Sequence, residues 1–343
     1  DINWLLLVEG GIFEFLHRLV LTDIKPPVFH RLMEEKGTEL NKWAAEQIAP
    51  DISAIPGGFA ERFNRYFADS SYAAHEKKIL ECAHYLATKW EFDIIYDMCR
   101  SYYGIEHTRH EIDSKLHTIE NVPCFDAFLR NNNYQGFVSL LGELRFQQRW
   151  SRSPRIPATS VIGHMLTVAI LSYLCSCETN SCPRRAVNNF LGGLFHDIPE
   201  VLTRDIVSPV KNSVKGLDEL IKHIEQEQVE RVLYPLIPQE WQKEIAYYTN
   251  DEFLDKIIKD GNIIYTNTDE INRLYNSDAY MAVDGGIIRA CDHLSACVET
   301  YLSHTCGITT HTLQNGNREL YEKYRNAKIG GIDFGCLFDY FRI

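Results

Sequence analysis

The sequence predicts an all-α protein. Apolar residues recur at helical spacing through most of the 343 residues, and few segments alternate as half-buried strands do. A chain of this length can bury a large core and form two domains. No repeat or low-complexity linker marks a border, and the boundary is placed softly near residue 135. The expected division is 1–135, a helical region of unknown role, and 136–343, which carries the chemistry described below.

Taken in order, residues 9–21 and 27–48 have helical periodicity, the second segment starting at the Pro26-Pro27 pair. Pro56-Gly57-Gly58 makes 51–59 a loop. Helices are expected at 72–90 and 93–103, and a polar surface helix at 106–122. Asn131-Asn132-Asn133 gives the next break, before the segment 137–150. A loop at 154–158 precedes helices at 164–175 and 184–197, a turn region runs through Pro209, and long helices follow at 217–232 and 284–304. The aromatics of the tail GGIDFGCLFDYF are spaced to pack onto the body.

Hydrophobic content of 45% and charged content of 24% are ordinary for a globular chain. A formal net charge of -12 argues against nucleic acid as a partner, since such binding rests on basic surface. A nucleotide substrate stays open, because a metal and a few arginines supply positive charge locally. The ten cysteines include no CxxC pair, and the cluster Cys175, Cys177, Cys182 lacks a second half, so packed thiols are expected rather than a zinc knuckle. No apolar stretch is expected to reach the ~20 residues that span a bilayer, and WLLLV at the start is short for a leader and lacks basic residues before it. The expectation is a cytoplasmic protein without a membrane partner.

The most informative residues are His196-Asp197, which close the apolar run 190–195 and are followed by Glu200. A buried imidazole and a buried carboxylate are each costly unless paired or bound to a cation. His164 lies on or beside the buried stripe of an earlier helix, and Asp292 shares a helix face with Ile288, Ser295 and Ala296. A lone His on such a stripe is usually core, and His17 and His84 are taken as structural. His293, on the face of Arg289 and Thr300, is expected to meet solvent. Together His164, His196, Asp197 and Asp292 could hold one divalent metal with open positions, and a mixed His/Asp set suits Mn, Co, Fe or Zn. These residues point to a metal-dependent hydrolase. Glu200 follows Asp197 by three residues, although Pro199 interrupts the helix, and a carboxylate there suits a general acid/base.

The ordered set His164, His196-Asp197, Asp292 resembles the HD phosphohydrolase superfamily. The stretch HDIPEVLTRDIVSPVK at 196–211 is similar to its 5'-deoxynucleotidase branch, which removes phosphate from deoxynucleoside 5'-monophosphates. LGELRFQQRW at 141–150 resembles the Arg-Trp segment before the first metal His, and RACDHLSACVE at 289–299 resembles the final-Asp helix. The likeness covers roughly 136–305. It departs where the family usually has Glu before its first His, because Gly163 stands there.

The resemblance implies an HD-domain helical bundle and metal ligation by His164, His196, Asp197 and Asp292. It implies that Glu200 handles the proton of the attacking water, Arg149 grips the phosphate, Trp150 packs near the sugar and Asp205 meets a sugar hydroxyl. A guanidinium is well suited to phosphate because it binds two oxygens at once and stays charged when desolvated. Arg145 and Lys211 are weaker phosphate candidates. A small-molecule nucleotide is the expected partner, and a homo-oligomer is left open. The competing readings are a deoxynucleoside triphosphate triphosphohydrolase, a phosphodiesterase, or a nucleotide-sensing scaffold without catalysis.

Overall fold

Ring edges organise the first part of the chain. The computed structural model describes residues 2–22, 24, 26–119, 122–204 and 214–343, and its backbone gathers into two units, 1–135 and 136–343. In the first unit α1 (Trp4–Leu21) begins at Asn3, whose side chain accepts the Leu6 N–H. It is followed by α2 (Pro26–Ile52), α3 (Phe59–Ala68), α4 (Ala74–Cys99), α5 (Ile105–Ile119) and α6 (Pro123–Leu129). The buried ring of Phe13 on α1 meets Phe59, Phe63 and Tyr66 of α3 at 5.2, 5.5 and 5.6 Å, all edge-on. Glu9, buried beside them, pairs with Arg62 at 2.6 Å. His17 stacks on Phe67 at 4.4 Å and His84 pairs with Glu14 at 2.6 Å, so both have structural partners.

α7 (Asn132–Gly142) leads into the second unit, which is built on three helices. α8 (Val161–Glu178) packs against α9 (Pro183–Phe195), and the long helix here numbered α13 (Gly285–Thr305) packs on both. Between them come α10 (Glu200–Thr203), α11 (Leu217–Gln228) and α12 (Gln239–Thr249); α14 (His311–Tyr324) and α15 (Phe334–Tyr340) close the unit. A Cβ on Gly193 would stand 2.9 Å from the backbone of Ala169, so the α8–α9 approach requires glycine. A buried polar clamp ties the same three helices. Arg185 on α9 donates to both oxygens of Asp284 at 2.7 Å, and Asn189 donates to Asp284 at 2.7 Å and to Ser176 of α8 at 2.9 Å. Asp284 immediately precedes α13, and its own N–H donates to Asn189 Oδ1 at 2.8 Å.

The all-α class holds, with several differences in detail. α1 starts at Trp4 rather than at residue 9, so WLLLV is its opening turn. α3 and α6 lie outside the expected helices, and α4 runs unbroken through the expected gap at 91–92. The Asn run starts a helix: Asn131 Oδ1 accepts the N–H groups of Asn133 and Tyr134. The segment 137–150 is α-helical to Gly142 and continues as a 3-10 turn over Glu143–Arg145. A hairpin of β1 (Lys256–Lys259) and β2 (Asn262–Tyr265) turns through Asp260-Gly261, both at positive φ, which is a two-residue turn with a plain sequence signal. Contrary to the expectation from composition, α8 is long and apolar enough to cross a membrane. Half of it is buried within the protein, and it packs as a core helix. The tail aromatics do pack inward: Phe334 and Phe338 are fully buried, and Phe338 stacks on Tyr324 at 4.4 Å.

Removing Asp284 strands the buried Arg185 guanidinium, and losing one partner of such a pair costs about 3–5 kcal/mol. Asp284→Ala should lower the unfolding free energy of the second unit by that amount in urea titration. A loss below about 1 kcal/mol, the range of an exposed pair, would show that the clamp is not an essential support.

Candidate metal and phosphate site

Each element delivers its side chain for a local reason. Ser160 caps α8, its Oγ accepting the Gly163 N–H at 3.2 Å, and places fully buried His164 in the first turn. Gly163 therefore occupies the third helical position, from which a Glu would reach back to the cap. α9 ends at Phe195, and consecutive turns then carry His196, Asp197 and Ile198 toward Glu200. The expected helix through Asp197 is thus two residues shorter. Glu200 opens the short α10, its N–H bonded to the Asp197 carbonyl at 3.0 Å, so it stays one turn from the site as expected despite Pro199.

The three core helices converge on two imidazoles and two carboxylates. His164 Nε2 lies 3.0 Å from Asp292 Oδ1 and 3.8 Å from Asp197 Oδ2, and His196 Nε2 lies 3.1 Å from Asp197 Oδ2. One ligand atom from each of His164, His196 and Asp292 falls within 4.8 Å of the others. Both Nε2 atoms are buried, and neither has a hydrogen bond of acceptable geometry among the described residues, despite the short distances. Nitrogens that face carboxylates off the hydrogen-bond axis fit a shared cation better than direct pairing.

The far sides of both rings are held. His196 Nδ1 donates to the Gly193 carbonyl at 2.8 Å, which leaves Nε2 of the neutral ring with the lone pair that a cation could take, and His164 Nδ1 bonds Ser295 Oγ at 3.0 Å. Burial pulls the His196 imidazole down, but the adjacent Asp197 carboxylate and Asp292 push it up to about 9. Burial raises the Asp292 carboxyl, yet His164 and His196 outweigh that and hold it far below the usual range. Asp197 is lowered in the same way, by His196 and then His164 against burial.

Arg149 stands at the edge of this cluster. Its Nη1 is 3.9 Å from Asp197 Oδ2, and its Nε donates to Glu299 Oε2 at 3.4 Å. Trp150 has left-handed backbone (φ 58°); its indole N–H donates to Glu299 Oε2 at 2.6 Å, and its ring would touch a Cβ on Gly316 of α14 at 3.4 Å. Arg145 is exposed on the turn after α7. Asp205 and Lys211 lie outside the described residues. His293 is not solvent-facing as expected: it is half-buried, its Nδ1 meets Tyr324 Oη at 2.7 Å, and burial takes its pKa down to about 4. All ten cysteines are free, with Cys175 and Cys291 in van der Waals contact in the core. Sequence reasoning missed Glu299 and the role of Ser295. Ser295 and Glu299 lie three and seven residues after Asp292, and that spacing was the available signal.

Known proteins match the region that holds these residues. A family model described as HD domain matches residues 141–321. A 5'-deoxynucleotidase of Photobacterium profundum is 28% identical over 126 residues, 35% of this chain and 63% of the relative. A 5'-deoxynucleotidase of Pasteurella multocida is 29% identical over 115 residues, 33% of this chain and 58% of the relative. The chain thus spans less than two thirds of the length of these curated relatives. A crystal structure of an HD-domain phosphohydrolase from Listeria innocua superposes with a TM-score of 0.43 and 16% identity, covering 60% of this chain and 84% of that one.

With His196 protonated below about pH 9, a cation must displace its proton. Uptake of a divalent metal at pH 7 should therefore release about one proton, and affinity should rise toward pH 9. Calorimetry in buffers of different ionisation enthalpy measures the first and a pH series the second. Affinity independent of pH from 6 to 9 would remove His196 from the ligand set.

Proposed function

This chain belongs to the HD domain family, and we propose that it is a metal-dependent phosphohydrolase acting on deoxynucleoside 5'-monophosphates. The observation that carries this reading is the pair of buried, unbonded Nε2 atoms facing Asp197 and Asp292, with the Arg149 guanidinium alongside. Support for the substrate comes from the relatives described as 5'-deoxynucleotidases and from the Arg149-Trp150 pair at the site's edge.

His164, His196, Asp197 and Asp292 would hold one divalent cation of Mn, Co, Fe or Zn character. When bound, such an ion supplies Lewis acidity toward a phosphoryl oxygen and makes water a nucleophile near neutral pH. Gly193 and Ser295 keep the two imidazoles oriented for it. Arg149 offsets the charge that collects on the phosphoryl oxygens in the transition state. Glu200, within a turn of Asp197, takes the proton of the attacking water. The Trp150 ring forms an apolar wall where the sugar follows the phosphate.

Glu200→Ala should keep the metal and lower turnover by about 10²–10⁴-fold, whereas His196→Ala or Asp197→Ala should lose metal and activity together. Metal analysis beside phosphate-release assays separates these cases, and near-parental turnover of metal-loaded Glu200→Ala would remove its role.

A ribose 2'-OH against the Trp150 ring loses water without gaining a partner, at about 1–3 kcal/mol. Deoxynucleotides should therefore be favoured roughly ten- to a hundredfold in kcat/KM. A panel of mono- and triphosphates, assayed for free phosphate against triphosphate, tests the substrate class. Equal values for dAMP and AMP would defeat the sugar pose, and triphosphate release would replace the monophosphatase reading.

A further inference from the structure

Glu299 is buried, its side chain only 6% exposed, and lies two turns beyond Asp292 on α13. Its Oε2 accepts from two consecutive residues, Arg149 and Trp150, while its Oε1 is buried without a hydrogen-bond partner among the described residues. Arg155 approaches the same residue from its backbone side, Nη1 lying 3.5 Å from the Glu299 carbonyl oxygen. A carboxylate buried with one oxygen unsatisfied is a costly packing device. Its partner Trp150 is also strained, in a left-handed backbone conformation that a non-glycine residue holds only when its surroundings over-determine it. Strain and an unsatisfied oxygen meeting at one contact point to a gain in position rather than in stability.

We propose that Glu299 is a positioning residue that locks Arg149 and Trp150 into one unit and decides how the guanidinium meets phosphate. With Nε engaged by Glu299, a side-on grip through Nε is blocked. The Nη1/Nη2 edge, whose Nη1 stands 3.9 Å from Asp197, takes two phosphoryl oxygens end-on. The same anchor places the Trp150 ring relative to that phosphate, so grip on the phosphate and sugar preference depend on one carboxylate. This inference rests on the phosphohydrolase reading above.

The test is a double-mutant cycle of Glu299→Gln and Arg149→Ala in the full chain. It is read by kcat and KM on dAMP, and separately by calorimetric binding of inorganic phosphate to the metal-loaded proteins. Glu299→Gln should keep the metal, weaken phosphate binding about 10- to 100-fold and raise KM, with kcat falling too because Arg149 also acts in the transition state. In the Arg149→Ala background the same change should add nothing, because Glu299 acts through Arg149. Should Glu299→Gln fail to fold, Trp150→Phe removes the indole N–H together with part of the ring, so the readout is inorganic phosphate, which carries no sugar to meet that ring, and its binding should still weaken several-fold. Fully additive effects, or parental phosphate affinity in the variant that folds, would overturn the assignment. Coupled phosphate binding without hydrolysis in the parent protein would sink the phosphohydrolase reading and leave the role of Glu299 standing. Hydrolysis with uncoupled effects would do the reverse.

Discussion

The site depends on how closely α9 can lie against α8. At Gly193 the two backbones approach until a Cβ would sit 2.9 Å from Ala169, and no side-chain rotation relieves a contact with backbone. Gly192 faces the other way, toward Ile288 of α13. Two adjacent glycines thus let one helix approach two neighbours at the level where His164, His196 and Asp292 converge. The Gly193 carbonyl also accepts a hydrogen bond from His196 Nδ1. The residue that permits the approach therefore also orients the His196 imidazole.

Close approach brings costs that the rest of the unit offsets. The Arg185–Asp284–Asn189 clamp is buried with bidentate geometry and ties the start of α13 to α9 and α8. Such a pair seldom adds net stability over apolar packing, but it penalises any register in which the charges separate. α13 then presents Asp292, Ser295 and Glu299 along one stripe. These meet, respectively, His164 Nε2, the back of the same ring at Nδ1, and the Arg149-Trp150 segment. One helix with one register serves three functions, which explains why its N-terminus is held so firmly.

Helical class, the residue types of the candidate cation site and the HD stretch were all legible in the sequence, because each has a local or ordered signature. Periodicity marks a helix without reference to its neighbours, and His196-Asp197 beside an apolar run poses a charge problem that residue types alone reveal. The Asp260-Gly261 turn carries a local signal as well, but strands of only four residues each are too short for alternation to stand out. α3 carries Phe59, Phe63 and Tyr66 at helical spacing and was available by the same rule.

Other features were decided only by tertiary structure. Arg149 and Glu299 are 150 residues apart, and no periodicity relates them. Cysteine and histidine types predict chemistry, but burial decides it: His293 turns inward to Tyr324, and Cys175 meets Cys291 rather than its sequence neighbours. Sequence determined which side chains were capable of binding a cation and a phosphate. The packing of α8, α9 and α13 decided which of them meet, because a close helix crossing at glycine sets distances that no single segment encodes.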